Sequence, residues 1–264
     1  MTGGNALRRR WLDGQGGIGG WCQLPSPLSA EIMGRAGFDW VCVDMQHGPT
    51  TIETAAAMVQ SVSVAGAVPI VRVPANDARL IGQALDVGAS GVIVPLVNTR
   101  EEAERAAAAC RYPPDGLRSF GPVRTPGAVD GDPRAANEHV LCLVMVETGT
   151  AVENVDEICS SPGVDGVYVG PWDLSLSAGS ATPGPAIEPL LERIVAACLR
   201  HGVAPGIATG SGESARARLE AGFTWVAVSG DIDFLARHAR EELAAAGREP
   251  TAPGAAEGLV RVAL

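Results

Sequence analysis

Eight short runs of apolar residues, each separated from the next by a polar or amphipathic stretch, dominate the sequence. They are Ile18 to Gln23, Trp40 to Asp44, Pro69 to Val73, Gly91 to Pro95, Leu141 to Glu147, Gly166 to Gly170, Ala204 to Ile207 and Trp225 to Val228. Runs this short and this uniformly apolar suit strands buried on both faces of a parallel sheet, where neither face meets water. Between them lie helical patterns. Ile52, Ala55, Ala56, Val59 and Val62 fall on one helical face. Further helices are predicted at about 76–87, 99–110, 188–200, 213–221 and 232–246, with Asn76, Thr99 and Ser211 as N-caps. The phrases Ala36-Gly37-Phe38-Asp39-Trp40, Val87-Gly88-Ala89 and Ala221-Gly222-Phe223-Thr224-Trp225 each put glycine after a helix end and then re-enter a strand. Eight strands alternating with helices predict a closed α/β barrel of the (β/α)8, or TIM, type, and 264 residues suffice for one. The barrel is expected over 1–247. A Pro/Gly/Ala-rich tail over 248–264 either docks on a neighbouring subunit or frays.

Composition then removes several kinds of chemistry. All 20 basic residues are arginine. Without lysine there is no Schiff base, no lysine-anchored pyridoxal phosphate and no P-loop, so any carbanion made here needs a metal, arginine or backbone donors. With 30 acidic residues the net charge is −10, which argues against a nucleic-acid partner. Cys22, Cys42, Cys110, Cys142, Cys159 and Cys198 form no CxxC pair, and several sit inside apolar runs. They are expected to be buried free thiols in a reducing, cytoplasmic setting. No run approaches the roughly 20 apolar residues of a membrane span. Arg8-Arg9-Arg10 has no apolar stretch behind it, so no signal peptide is expected.

Barrel enzymes gather their active residues at the C-terminal ends of strands. Here those ends read Asp44-Met45-Gln46-His47-Gly48, Val71-Arg72-Val73-Pro74, Val146-Glu147-Thr148 and Gly170-Pro171-Trp172-Asp173-Leu174. Four ends thus deliver Asp, His, Arg, Glu and Asp to one face. Glu147 and Asp173, in apolar surroundings, would be costly unless a hard divalent cation sat between them. Two carboxylates leave positions open for water and a chelating substrate, which suits Mg²⁺ or Mn²⁺, with Co²⁺ or Zn²⁺ as further candidates. The alternative is that either residue caps its following helix. Arg72 within a strand needs an anion, either the enolate oxygen of a substrate or a structural partner in Asp44 or Glu147. His47, three residues past Asp44, is placed for the carboxylate to hold one ring nitrogen while the other acts as base. His139, His201 and His238 read as structural. Gly14 to Gly19 matches G-x-G-x-x-G but precedes a strand, which removes the dinucleotide mechanism. Gly206 to Gly212 opens a helix, as an anion-binding loop or a plain one. The Pro/Gly-rich stretch Arg111 to Glu138, with Arg118, Arg124 and Arg134, reads as a long functional loop forming the far wall of the pocket, with or without a neighbouring chain.

These phrases, together with Leu85-Asp86-Val87-Gly88-Ala89, Arg111-Tyr112-Pro113-Pro114 and Gly166-Val167-Tyr168-Val169-Gly170, resemble the HpcH/HpaI family of metal-dependent class II pyruvate aldolases from about Gly19 to Arg240. The resemblance implies a barrel of the phosphoenolpyruvate/pyruvate superfamily and a homohexamer built as a trimer of dimers with a swapped last helix. It implies a metal on Glu147 and Asp173, Arg72 as enolate stabiliser, and His47 with Asp44 as acid/base dyad. Asp86 would act in a neighbour's site. Gly170, Pro171, Trp172, Asp173 and Trp21 would bind the 2-oxo acid. Gln46 (Glu in many members), Trp172 (often a small residue) and Ser119 (often Gly) depart from the pattern.

The predicted reaction is metal-dependent cleavage or formation of 4-hydroxy-2-oxo acids through a pyruvate-type enolate, with a 2-oxo acid and an aldehyde as partners. Arg72→Ala is expected to spare the fold and abolish enolate chemistry. The alternatives are an oxaloacetate-type decarboxylase, a carbon–carbon bond-forming synthase on the same enolate, or a non-catalytic barrel that binds 2-oxo acids.

Overall fold

The computed structural model describes residues 5–124 and 132–248. Eight parallel strands close into a barrel in sequence order: β1 Gly17–Cys22, β2 Trp40–Asp44, β3 Val68–Arg72, β4 Gly91–Val94, β5 Leu141–Met145, β6 Gly166–Val169, β7 Ala204–Ala208 and β8 Trp225–Gly230, which pairs back onto β1. The helices are α1 Ala6–Leu12, α2 Pro27–Arg35, α3 Ile52–Ala65, α4 Ala78–Asp86, α5 Arg100–Cys110, α6 Pro133–His139, α7 Gly149–Glu153, α8 Val155–Cys159, α9 Pro171–Ser177, α10 Glu188–His201, α11 Gly212–Glu220 and α12 Asp231–Ala245. Every apolar run became a strand. Thr99 and Ser211 cap α5 and α11 as expected, but α4 is capped by Asp77, whose carboxylate accepts from the amides of Arg79 and Leu80. Asn76 instead donates to the carbonyl of Glu102.

The period of two along each strand divides the apolar residues into two cores. Trp21, Trp40, Ile70, Leu143, Tyr168 and Trp225 fill the barrel interior. Their alternating neighbours, including Val41, Val43, Val71, Val144 and Val167, pack outward against the helices. Position 206 lies on the inner face with Ala204 and Ala208, and a Cβ there would come within 2.2 Å of the Trp225 ring. That gives the glycine opening the Gly206–Gly212 phrase a packing reason. All six cysteines are free and buried, as expected. No helix among the described residues is long and apolar enough to cross a membrane.

Helix α1 plugs the N-terminal end of the barrel. Leu7 is fully buried, Trp11 packs on Trp225, and Asn5 Nδ2 donates to the carbonyls of Ser90 and His139, both at 3.0 Å. Leu7→Ala is expected to cost about 2–5 kcal/mol by cavity formation, read as a lower urea midpoint at unchanged slope. At the other end of the chain, α12 buries only Asp231, which accepts from the amides of Gln23 and Leu24 and the hydroxyl of Ser29. Past that turn it exposes Leu235 and Leu243. The tail beyond 248 and segment 125–131 of the long loop lie outside the described residues.

Candidate active site

Strand parity decides which side chains reach the barrel mouth. On β2 the inward series Trp40, Cys42 continues to Asp44; on β3 Ile70 leads to Arg72; after β5 the series Leu141, Leu143, Met145 leads to Glu147. Strands β2 and β3 pair with Asp44 opposite Arg72, so the two meet side by side. Arg72 Nε lies 2.9 Å from Asp44 Oδ1, and Nη2 donates to Oδ2. Trp21 Nε1 donates to Oδ2 at 3.1 Å, and the amides of Gln46 and His47 donate to Oδ1 at 2.9 and 3.3 Å. The Arg72 guanidinium also lies 4.8 Å from the Trp21 ring centroid, a cation–π contact. Burial alone would raise the Asp44 carboxyl, but the hydrogen bonds and charge of Arg72 outweigh it and hold it below its ordinary value. The same contacts outweigh burial at Arg72 and raise it.

Asp44 therefore does not hold the ring of His47. Its oxygens are taken by Arg72, Trp21 and two main-chain amides, because a carboxylate buried at 0% exposure is best satisfied by the neighbouring cation. Asp44 meets His47 only through the backbone, which fixes the turn, and His47 sits at the exposed rim. The structural ion pair weighed for Arg72 is present. It consumes Nε and Nη2, while Nη1 makes no bond among the described residues.

Glu147 has a different environment. It is 3% exposed, and the Leu96 amide donates to its Oε1 at 2.8 Å. Burial pushes its carboxyl up to about 7; the Leu96 amide opposes this, the charge of Asp173 adds to it, and Arg72 draws it down. Asp44, Arg72, Glu147 and Asp173 are thus within electrostatic reach of one another. Neither Glu147 nor Asp173 caps a helix. Thr148 caps α7, and Gly170 occupies the N-cap of α9. A Cβ on Gly170 would lie 2.8 Å from Glu147 Oε2, so glycine keeps that oxygen open. Pro171 and Trp172 form the first positions of α9, where the amides of Trp172 and Asp173 precede the first intrahelical bond. Both residues border a 620 Å³ cavity shared with Thr209, Gly210 and Arg237, so open space beside the site lies toward β7 and β8.

Among the described residues no three His, Cys, Asp or Glu side chains cluster as a metal cage. The candidate donors are the carboxylate pair Glu147 and Asp173. That fits a hard cation which keeps water or substrate oxygens, and it lacks the nitrogen and sulfur ligands of a structural zinc centre.

Asp86 is not brought to this site. Helix α4 starts at the C-terminal end of β3 and runs to the opposite end of the barrel, where Asp86 pairs with Arg118 at 2.7 Å. Arg118 in turn stacks on Tyr112, 4.6 Å from the ring centroid. The stretch 111–138 links the end of α5 to the start of β5, so its described parts, 111–124 and 132–138, lie at the N-terminal face, away from the site of their own chain. It also contains α6, capped by Asp132. Two residues of the site were not singled out in the sequence. Leu96 follows the end of β4, and Asn98, two residues on, is tied to Thr148. Applying the strand-end rule to β4 as well would have found them.

The barrel brings Arg72 and the carboxylates Asp44, Glu147 and Asp173 to one mouth, and with no lysine in the sequence any carbanion chemistry there would run without a Schiff base. Residues 18–262 match the HpcH/HpaI aldolase/citrate lyase model, and the chain belongs to that family. It is 41% identical over 250 residues to a hydroxypyruvate/pyruvate aldolase of Rhizorhabdus wittichii, covering 91% of this chain and 98% of that one. It is 38% identical over 233 residues to a 2-dehydro-3,6-dideoxy-6-sulfogluconate aldolase of Pseudomonas putida, covering 86% and 91%. The crystal structure of a family protein from Burkholderia cenocepacia superposes with a TM-score of 0.86 at 34% identity, over 92% of this chain and all of that one. The chain is an aldolase-class lyase.

Proposed function

We propose that this aldolase is divalent-metal dependent and cleaves or forms 4-hydroxy-2-oxo acids through a pyruvate-type enolate. The observation that carries this reading is Glu147: a carboxylate buried beside Asp173, raised to about 7, with one oxygen kept open by Gly170. Such a group is unfavourable alone and favourable with a cation. Glu147 and Asp173 would hold Mg²⁺ or Mn²⁺, which supplies Lewis acidity toward the carboxylate and keto oxygens of a 2-oxo acid. The free amides of Trp172 and Asp173 bind the substrate carboxylate at the N-terminus of α9. Arg72, in cation–π contact with Trp21 and clamped by Asp44, donates from Nη1 to the developing enolate oxygen. His47 at the rim takes the proton of the C4 hydroxyl as the C3–C4 bond breaks and returns it in the reverse direction. Trp21 lines the floor beneath Arg72 and donates to its partner Asp44.

Asp86, on the opposite face, serves a neighbouring subunit's site in a homohexamer. Six buried thiols support a cytoplasmic location. Gly170→Ala is expected to weaken Mn²⁺ binding about 10–100-fold by crowding Oε2, measured by titration on folded protein. The function itself is tested with pyruvate and a panel of aldehydes in Mg²⁺ or Mn²⁺, with and without chelator. Chelator-sensitive carbon–carbon bond formation is expected, and turnover unaffected by chelator would overturn the reading.

A further inference from the structure

Leu96 has φ of +54°, the one non-glycine residue in the left-handed region among the described residues. The left-handed region is unfavourable for a leucine. Side-chain packing does not explain it, since the Leu96 side chain is 54% exposed. The bend aims the main chain: the Leu96 amide donates to Glu147 Oε1 at 2.8 Å. Asn98 holds the bend from both sides. Its Nδ2 donates to the Leu96 carbonyl at 3.0 Å, and its Oδ1 accepts from the hydroxyl of Thr148, the residue after Glu147. The Asn98 carbonyl in turn accepts from Asn154 Nδ2 at 2.8 Å. One asparagine side chain thus brackets both sides of the Leu96–Glu147 bond. With Oε1 committed to Leu96, Oε2 is the oxygen left against Gly170.

We propose that Leu96 and Asn98 are positioning residues: the Asn98 bracket keeps Leu96 in its strained bend so that the Leu96 amide fixes Glu147 and presents Oε2 to a divalent cation. This rests on the reading of Glu147 and Asp173 as the cation site.

The test is Mn²⁺ titration of the full chain, followed by the electron paramagnetic resonance signal of free Mn²⁺, with thermal melting alongside. The proteins are the parent, Glu147→Gln, Asn98→Ala, Leu96→Gly and the double variant Leu96→Gly/Asn98→Ala. Asn98→Ala is expected to bind Mn²⁺ about 10–100-fold more weakly, as outer-shell ligand supports typically do when removed. Leu96→Gly keeps the N–H and takes positive φ without strain, so it should bind close to the parent and melt higher. In the double variant glycine can hold the bend unbraced, so part of the loss should be recovered; a merely structural Asn98 would show no such rescue. Should Asn98→Ala not fold, the double variant, free of the strained leucine, is compared with Leu96→Gly, and a smaller loss is expected. Parent-like binding in Asn98→Ala, no rescue in the double variant, or a loss of about 10–100-fold or more in that last comparison would overturn the inference alone. Parent-like binding in Glu147→Gln would overturn the cation site and this inference with it.

Discussion

Replacing Arg72 with alanine is expected to damage both the fold and the chemistry. Asp44 is fully buried and its ion pair with Arg72 is its main compensation, so the variant strands a carboxylate in the barrel. Breaking a buried pair from one side costs about 3–5 kcal/mol. Loss of the donor aimed at the enolate oxygen costs about 10²–10³ in rate. The sequence alone implied a variant with an intact fold; the pairing of β2 with β3 corrects that. The two losses separate in the paired variant Asp44→Leu/Arg72→Met, which replaces the ion pair with apolar groups. It should recover most of the stability in urea unfolding and none of the activity. A single variant Arg72→Ala as stable as the parent would remove the pair's structural role, and near-normal exchange of pyruvate methyl protons in it would remove Arg72 from the chemistry.

The second large effect is a stability that falls as pH rises. Glu147 has a folded value of about 7 against an ordinary 4.5. Between those values the folded chain binds more protons at this site than the unfolded chain does. The group therefore favours folding at low pH, loses that advantage through the window from about 4.5 to 7, and leaves a constant penalty above it. The difference is on the order of 3 kcal/mol. Asp44, whose carboxyl is lowered, acts in the opposite sense and further down the pH scale. Comparing metal-free parent with Glu147→Gln isolates the Glu147 contribution. The variant should be the more stable of the two above pH 7, and the gap should close toward pH 4.5. A gap that does not change with pH would contradict the environment described for Glu147. A site that destabilises the metal-free fold in this way is a common cost of function.

The barrel was legible in the sequence because a strand covered on both faces has to be apolar along its whole length, and eight such runs leave few alternatives. Helix α1 was not legible. Leu7 is its one fully buried residue, and the three arginines that follow separate it from Trp11 and break any apolar periodicity. Helix α6 had a local signature in Asp132 and Pro133 that the surrounding prolines and glycines obscured. The site residues were legible as strand ends, but their partners were not. Asp44 suggested His47 through nearness in sequence, whereas its partner stands 28 residues away on the next strand. Chain direction alone places Asp86 and the described ends of the 111–138 stretch on the face away from Glu147. Reading the alternation of strands and helices as up and down would have shown it. Leu96 carries no sequence signal for its left-handed backbone, which is imposed by Asn98 and its contacts.

The most direct test of the cation-assisted enolate is the exchange of pyruvate methyl protons in D₂O, followed by proton NMR with Mg²⁺. The parent should exchange them, stop in excess chelator and resume when Mg²⁺ is restored, while Glu147→Gln should not exchange at any Mg²⁺ concentration. Exchange that persists in the chelated parent, or in Glu147→Gln, would contradict the assignment.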